Sequence, residues 1–254
     1  MPRLLRSDRV SRIKPLKGYS NALHIGLTAL LPIIAYVLVR IDFVSLAILL
    51  IFLSKWRMFA VRPRYWVANL IASGVDLMVS VAFVLFMANT SVQWWQIFWT
   101  LAFIGWTTFL KPRSDVLSVS AQAMLGQLLG LAVLYLKFGD TPLAVLVGIT
   151  WLVAYLSARH FLSSFEERHT ALLAHSWAFF SAALAFILGH WLLFYGLVAQ
   201  IIVILTTVGY CMAALYYLES GDRLTIRLRH QLLGIMIMIL FLVVALSDWT
   251  GTTI

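Results

Sequence analysis

Asp76 is the residue whose type and position most directly suggest chemistry. It lies in the middle of an apolar segment, 65–87, and is the one carboxylate that falls deep within such a segment. Asn69, Ser73, Asp76 and Ser80 follow spacings of four, three and four residues, which put them on one face of a helix. Each polar group costs free energy in hydrocarbon unless it has a partner or a cavity. A stripe of amide and hydroxyl groups with an acid at its centre is therefore what a proton or cation pathway would need. The alternative is a single buried acid hydrogen-bonded to a neighbouring helix.

A second polar set lies in the segment 116–136. Ser120, Ala123, Gln127 and Gly130 share one helical face, and Ser118, Gln122 and Gly126 share the adjacent one. Gln127 falls level with Asp76. An amide can satisfy a carboxyl in either protonation state, so an Asp76–Gln127 contact is expected if the two segments line one route. Gly126 and Gly130 form a GxxxG pair, whose first meaning is close helix packing.

His24 and His175 sit at similar depth on two other segments, where they could ligate a haem, sense pH or simply bond at an interface. His175 is carried forward as a pathway candidate; no haem or other cofactor is expected. His190, beside Trp191 and Tyr195, fits an interfacial aromatic belt. Glu166 and His169 make one ExxH motif, whereas di-iron sites need two and further glutamates, so no metal site is expected. The run from Lys55 through Arg57, Arg62 and Arg64 alternates basic with apolar residues and reads as a contact with the membrane surface or lipid headgroups.

Other chemistry is missing. All five lysines (Lys14, Lys17, Lys55, Lys111 and Lys137) lie at segment ends or in loops, so none is placed for a Schiff base. No GxxxxGK[ST], HExxH or GxSxG motif occurs, which disfavours an enzyme. Cys211 is the single cysteine, so no intramolecular disulfide can form.

The elements that must position these residues follow from composition. Of 254 residues, 62% are hydrophobic and 11% charged, with a mean hydropathy of +0.94. Soluble domains carry about 25% charged residues. The chain reads as an all-α, polytopic transmembrane helix bundle: a basic N-terminal arm, 1–19, then one membrane domain, 20–254. About nine spans are expected, near 21–39, 41–60, 65–87, 93–110, 116–136, 142–158, 170–189, 196–217 and 230–248. The second is the shortest in apolar length and needs Lys55 and Arg57 to snorkel.

Alternating these spans from a cytoplasmic N-terminus puts all 19 basic residues except Arg40 and Lys137 on one side, with the C-terminus outside. The net charge of +9 is then an orientation signal, and no nucleic-acid partner is implied. The expected partners are the lipid bilayer and either other membrane proteins or further copies of the chain.

Three stretches carry a resemblance. Trp56-Arg-Met-Phe-Ala-Val-Arg-Pro-Arg-Tyr-Trp66, Ser120-Ala-Gln-Ala-Met-Leu-Gly-Gln127 and Leu188-Gly-His-Trp-Leu-Leu-Phe-Tyr-Gly196 resemble uncharacterised multi-pass membrane proteins of small-genome candidate-phyla bacteria. The resemblance implies a bacterial inner membrane. It implies no activity and no catalytic residue. Two functional expectations follow from the residues: a small permease or proton/cation-coupled transporter using a midplane carboxylate at Asp76, or a non-catalytic subunit of a membrane complex. In the subunit reading, Trp94, Trp95, Trp99 and Trp106 would face a partner.

Overall fold

A computed structural model describes residues 19–56, 60, 62–165, 167–189, 194–195 and 198–247. The basic arm, Arg57, Glu166, His190 and Trp191 lie outside the described residues, as does the side chain of His24.

Apolar runs with few breakers give an all-α architecture. The helices are α1 (Tyr19–Arg40), α2 (Val44–Ser54), α3 (Trp66–Ala72), α4 (Gly74–Ala88), α5 (Gln93–Gly105), α6 (Val116–Phe138), α7 (Leu143–Ser163), α8 (Thr170–Gly189), α9 (Gln200–Ser220) and α10 (Ile226–Leu246). A 3-10 turn at Pro63–Tyr65 precedes α3, and α5 runs directly into a π-helical turn at Trp106–Leu110. Two short strands, β1 (Phe194–Tyr195) and β2 (Val198–Ala199), pair antiparallel ahead of α9.

Among the described residues, five helices, α6 to α10, are long and apolar enough to cross a membrane. The count rises to six if α3 and α4, which meet at a bend of 61°, form one span. This membrane character is shared with the sequence reading, whereas its spans at 41–60 and 65–87 take another form. Helix α2 stops at Ser54 after 11 residues, about 16 Å at 1.5 Å per residue. The segment 65–87 is broken at Ser73, which ends α3 and caps α4.

Two packed regions share α4. On one side, α1, α2, α4 and α5 enclose a core that includes Ala35, Ile51, Val79, Val84, Met87 and Phe103, all essentially inaccessible. On the other, α6 to α9 pack around Leu131, Leu146 and Leu205, with Ala154, Ala174 and Ala178 in a second cluster. The joint between the regions is the contact of α4 with α6. There the GxxxG pair acts as a packing motif: a Cβ on Gly126 would lie 2.8 Å from Val75 Cγ1, and one on Gly130 would lie 2.8 Å from Met78 Sδ.

Polar contacts lock the helix ends together. The Asp115 carboxylate caps α6 by accepting from the Ser118 amide at 3.1 Å, which holds that exposed acid below its usual range. At the other end of the bundle, Arg40 on α1 donates to Gln96 on α5 at 3.4 Å, and Gln96 donates to the Thr90 carbonyl at 2.8 Å.

The joint makes a simple forecast. Gly126→Leu should lower stability by about 2 kcal/mol through overpacking, read from denaturant unfolding in micelles. Gly148, whose Cβ position is open, should accept alanine with no loss.

Candidate functional site: an ion cluster at a broken helix

Helix α2 ends about 16 Å from its start, whereas a hydrocarbon core is about 30 Å thick. Its terminal cation therefore cannot reach the far interface by helix length alone. Lys55 instead turns inward and forms a charged hydrogen bond with the Asp76 carboxylate. Its side chain is only 12% accessible, so it faces the protein rather than the lipid surface expected for it. Arg62 and Arg64 do keep an exposed position, with the Arg64 guanidinium 4.6 Å from the Tyr65 ring centre.

Asp76 occupies the first turn of α4, where the helix dipole favours negative charge. It lies about 18 Å from the Ala88 end of α4, level with the end of α2. Two further groups reach it from the α5 side. Lys111 Nζ is 2.9 Å from Oδ2, and the Trp106 indole N–H donates to Oδ1 at 3.1 Å.

The π turn explains how both arrive there. In an α-helix, residues five apart project about 140° from one another. The Lys111 amide instead donates to the Trp106 carbonyl at 2.9 Å, closing a five-residue turn that brings the two side chains to one side. Hydroxyls satisfy the carbonyls near this register change: Thr107 donates to Phe103 at 3.1 Å and Thr108 to Ile104 at 2.7 Å.

The cluster thus holds one carboxylate, two ammonium groups and one indole. With both lysines protonated its formal charge is one positive unit, which disfavours a bound metal cation and favours an anion.

The other predicted residues are distributed differently. Ser80 is buried, with its hydroxyl bonded to the Asp76 carbonyl at 2.7 Å. Ser73 is the hinge itself, and Asn69 lies on α3, beyond the bend. The expected Asp76–Gln127 contact does not form. The Gln127 amide donates to the Leu205 carbonyl and accepts from the Trp177 indole, each at 3.0 Å.

Gln122 clamps the α5–α6 turn by donating to the Leu110 and Arg113 carbonyls at 2.6 and 3.0 Å, and it also meets His160 Nε2 at 3.0 Å. His175 is exposed and bonds its own helix through Ala171, with its ring edge against Tyr155. It lines no route. Trp94 and Trp95 are exposed, but Trp99 stacks on Phe86 and Trp106 is buried in the cluster, so the four tryptophans do not form one outward face.

Sequence reasoning missed Lys111, Trp106 and Trp177 as site residues. Lys111 sits at the end of an apolar run, and its inward turn depends on a π register that Trp106-Thr-Thr-Phe-Leu110 does not announce. No protein-family model, curated protein or solved structure matches the chain.

Removing the acid leaves the buried Lys55 ammonium without its counterion, beside the exposed Lys111. Asp76→Asn should therefore cost about 3 kcal/mol in unfolding followed by tryptophan fluorescence. Adding Lys55→Met to Asp76→Asn should restore at least half of that loss.

Proposed function

We propose that the protein is a small proton-coupled permease in which the Asp76 cluster couples protonation to movement of helix ends. The observation that carries this reading is one largely buried carboxylate shared by lysines at the ends of two helices, beside the bend between α3 and α4. When Asp76 is ionised it ties the end of α2 to the end of the π turn. A proton on Asp76 removes the attraction and leaves Lys55, buried, and Lys111, at the surface, as neighbouring like charges that repel. The bend between α3 and α4 supplies a joint around which such a movement can occur. A metal cation is a poor coupling ion here, because the cluster is already positive.

The reading also retains nine crossings with a cytoplasmic N-terminus, in which α2 and the bent α3–α4 pair count as one crossing each. Its support is the charge distribution: Arg62, Arg64, Arg113, Arg159 and Arg223 fall on one side under this alternation. The resemblance noted above supports a bacterial inner membrane as its site.

One feature favours a second reading, that of a subunit in a membrane complex. Helix α10 packs chiefly on α9 and leaves Ile235, Ile237, Met238 and Phe241 exposed, which a partner protein could cover as readily as lipid.

Reconstituted vesicles distinguish the two. With a potassium diffusion potential and a bacterial small-molecule extract present, native protein should acidify an internal pH dye. Asp76→Asn should reduce that rate at least ten-fold. Equal rates in the two proteins would overturn the permease reading, and stoichiometric recovery of a partner in mild detergent would favour the subunit.

A further inference from the structure

Between α4 and α7 the bundle carries an open groove of about 510 Å³, floored by Gly130, Val133 and Leu134 of α6. We infer that this groove holds one acyl chain of an anionic phospholipid, with the headgroup at Arg159.

The groove follows from how three helices meet. At its narrow end α4 and α7 draw together, and a Cβ on Gly74 would lie 2.7 Å from Leu156 Cδ2. From there it runs along α4 to Leu85 and along α6 to Phe138. Leu70, Ile149 and Leu152 line it and are exposed, so it opens to the outside of the bundle rather than enclosing a space.

Its length and lining suit a hydrocarbon chain. Gly74 to Leu85 is about 16 Å at 1.5 Å per residue, and one leaflet of a hydrocarbon core is about 15 Å. Among the lining side chains only Trp151 and Tyr155 carry an N–H or O–H, and these two stack with ring centres 5.2 Å apart. Water would find few partners along such walls, whereas an acyl chain needs none.

Charge at the narrow end selects the kind of lipid. Leu152, Tyr155 and Leu156 line the groove, and Arg159 follows them one turn further on the same side of α7. Its guanidinium donates to the Tyr155 hydroxyl at 2.7 Å. Helix α3, whose Leu70 and Ile71 line the same end, is entered through Arg62 and Arg64, both exposed. None of these three arginines has a carboxylate partner among the described residues.

A phosphodiester headgroup supplies the missing anion, and its oxygens suit the planar guanidinium fork. A zwitterionic headgroup brings its own cation and neutralises less of this charge. The assignment concerns lipid binding and stands whether or not the protein is a permease.

The test is native mass spectrometry of the detergent-solubilised full chain, with dioleoyl phosphatidylglycerol and dioleoyl phosphatidylcholine at equal concentration. One phosphatidylglycerol per chain should be retained, with at least ten-fold preference over phosphatidylcholine. Arg159→Gln should lower that preference about ten-fold, the equivalent of one charged hydrogen bond. Arg159→Lys, which keeps the charge, should retain most of it. Ile149→Trp, on the exposed rim, should fill the groove and displace the lipid with the thermal midpoint unchanged. Four results would overturn the assignment: equal retention of the two lipids, a preference unchanged in Arg159→Gln, lipid retained in Ile149→Trp, or a lipid-free dimer. The last would give this face to a second copy of the chain.

Discussion

A buried ammonium or carboxylate group must be paired, and in this protein Lys55 and Asp76, both largely buried, share one place with the more exposed Lys111. Lys55 ends a helix too short to carry it to the far interface. Asp76 starts a helix whose first turn favours an anion, and Lys111 closes a π turn that aims it at the same oxygen. Each irregularity of this half of the bundle has a counterpart in that arrangement. The stop of α2, the break at Ser73 and the π register after α5 would each be costly alone. Together they place opposite charges in contact, with an indole N–H on the remaining carboxylate oxygen. Breaking such a group by removing one partner costs far more than the intact group contributes, because the desolvated remainder has no compensation.

The second half is held differently. Here α6 to α9 depend on close packing and amide clamps rather than ion pairs. Gln122 ties the α5–α6 turn to α7 through His160, and Gln127 ties α6 to α8 and α9. Gly126 and Gly130 let α6 lie against α4, so the packed half and the charged half meet along one helix. A shift of α4 driven by the cluster would act directly on α6. The coupling in this account is therefore mechanical, through packed side chains with little free volume at the joint.

Much of this was legible from composition and periodicity. The apolar runs located α6 to α10 to within a few residues, because long uninterrupted hydrophobic segments have one stable backbone solution in a membrane. Asp76 stood out as the deep carboxylate for the same reason. The expectation failed where a short-range irregularity overrode periodicity. Ser73 and Gly74 break a helix whose polar stripe assumed continuity, so Asn69 parts from Asp76 at a 61° bend. Lys55 was read as snorkelling outward, since sequence shows a cation at the end of an apolar run but not the acid that awaits it. Gln127 satisfied both ends of its amide with Leu205 and Trp177, groups remote in sequence, which no spacing argument could supply.

The central claim is that the charge on Asp76 holds the ends of α2 and the π turn together. Leu53 and Phe109 are exposed on those two elements and would carry spin labels without entering the core. The most direct measurement is the pulsed-dipolar distance between labels at these positions, in protein with native Asp76 and with Asp76→Asn. The account predicts a narrow, short distance for the native protein at neutral pH and a longer, broader one for Asp76→Asn. It also predicts that acidification moves only the native protein toward the longer distance. Identical distributions in the two proteins at every pH would contradict it.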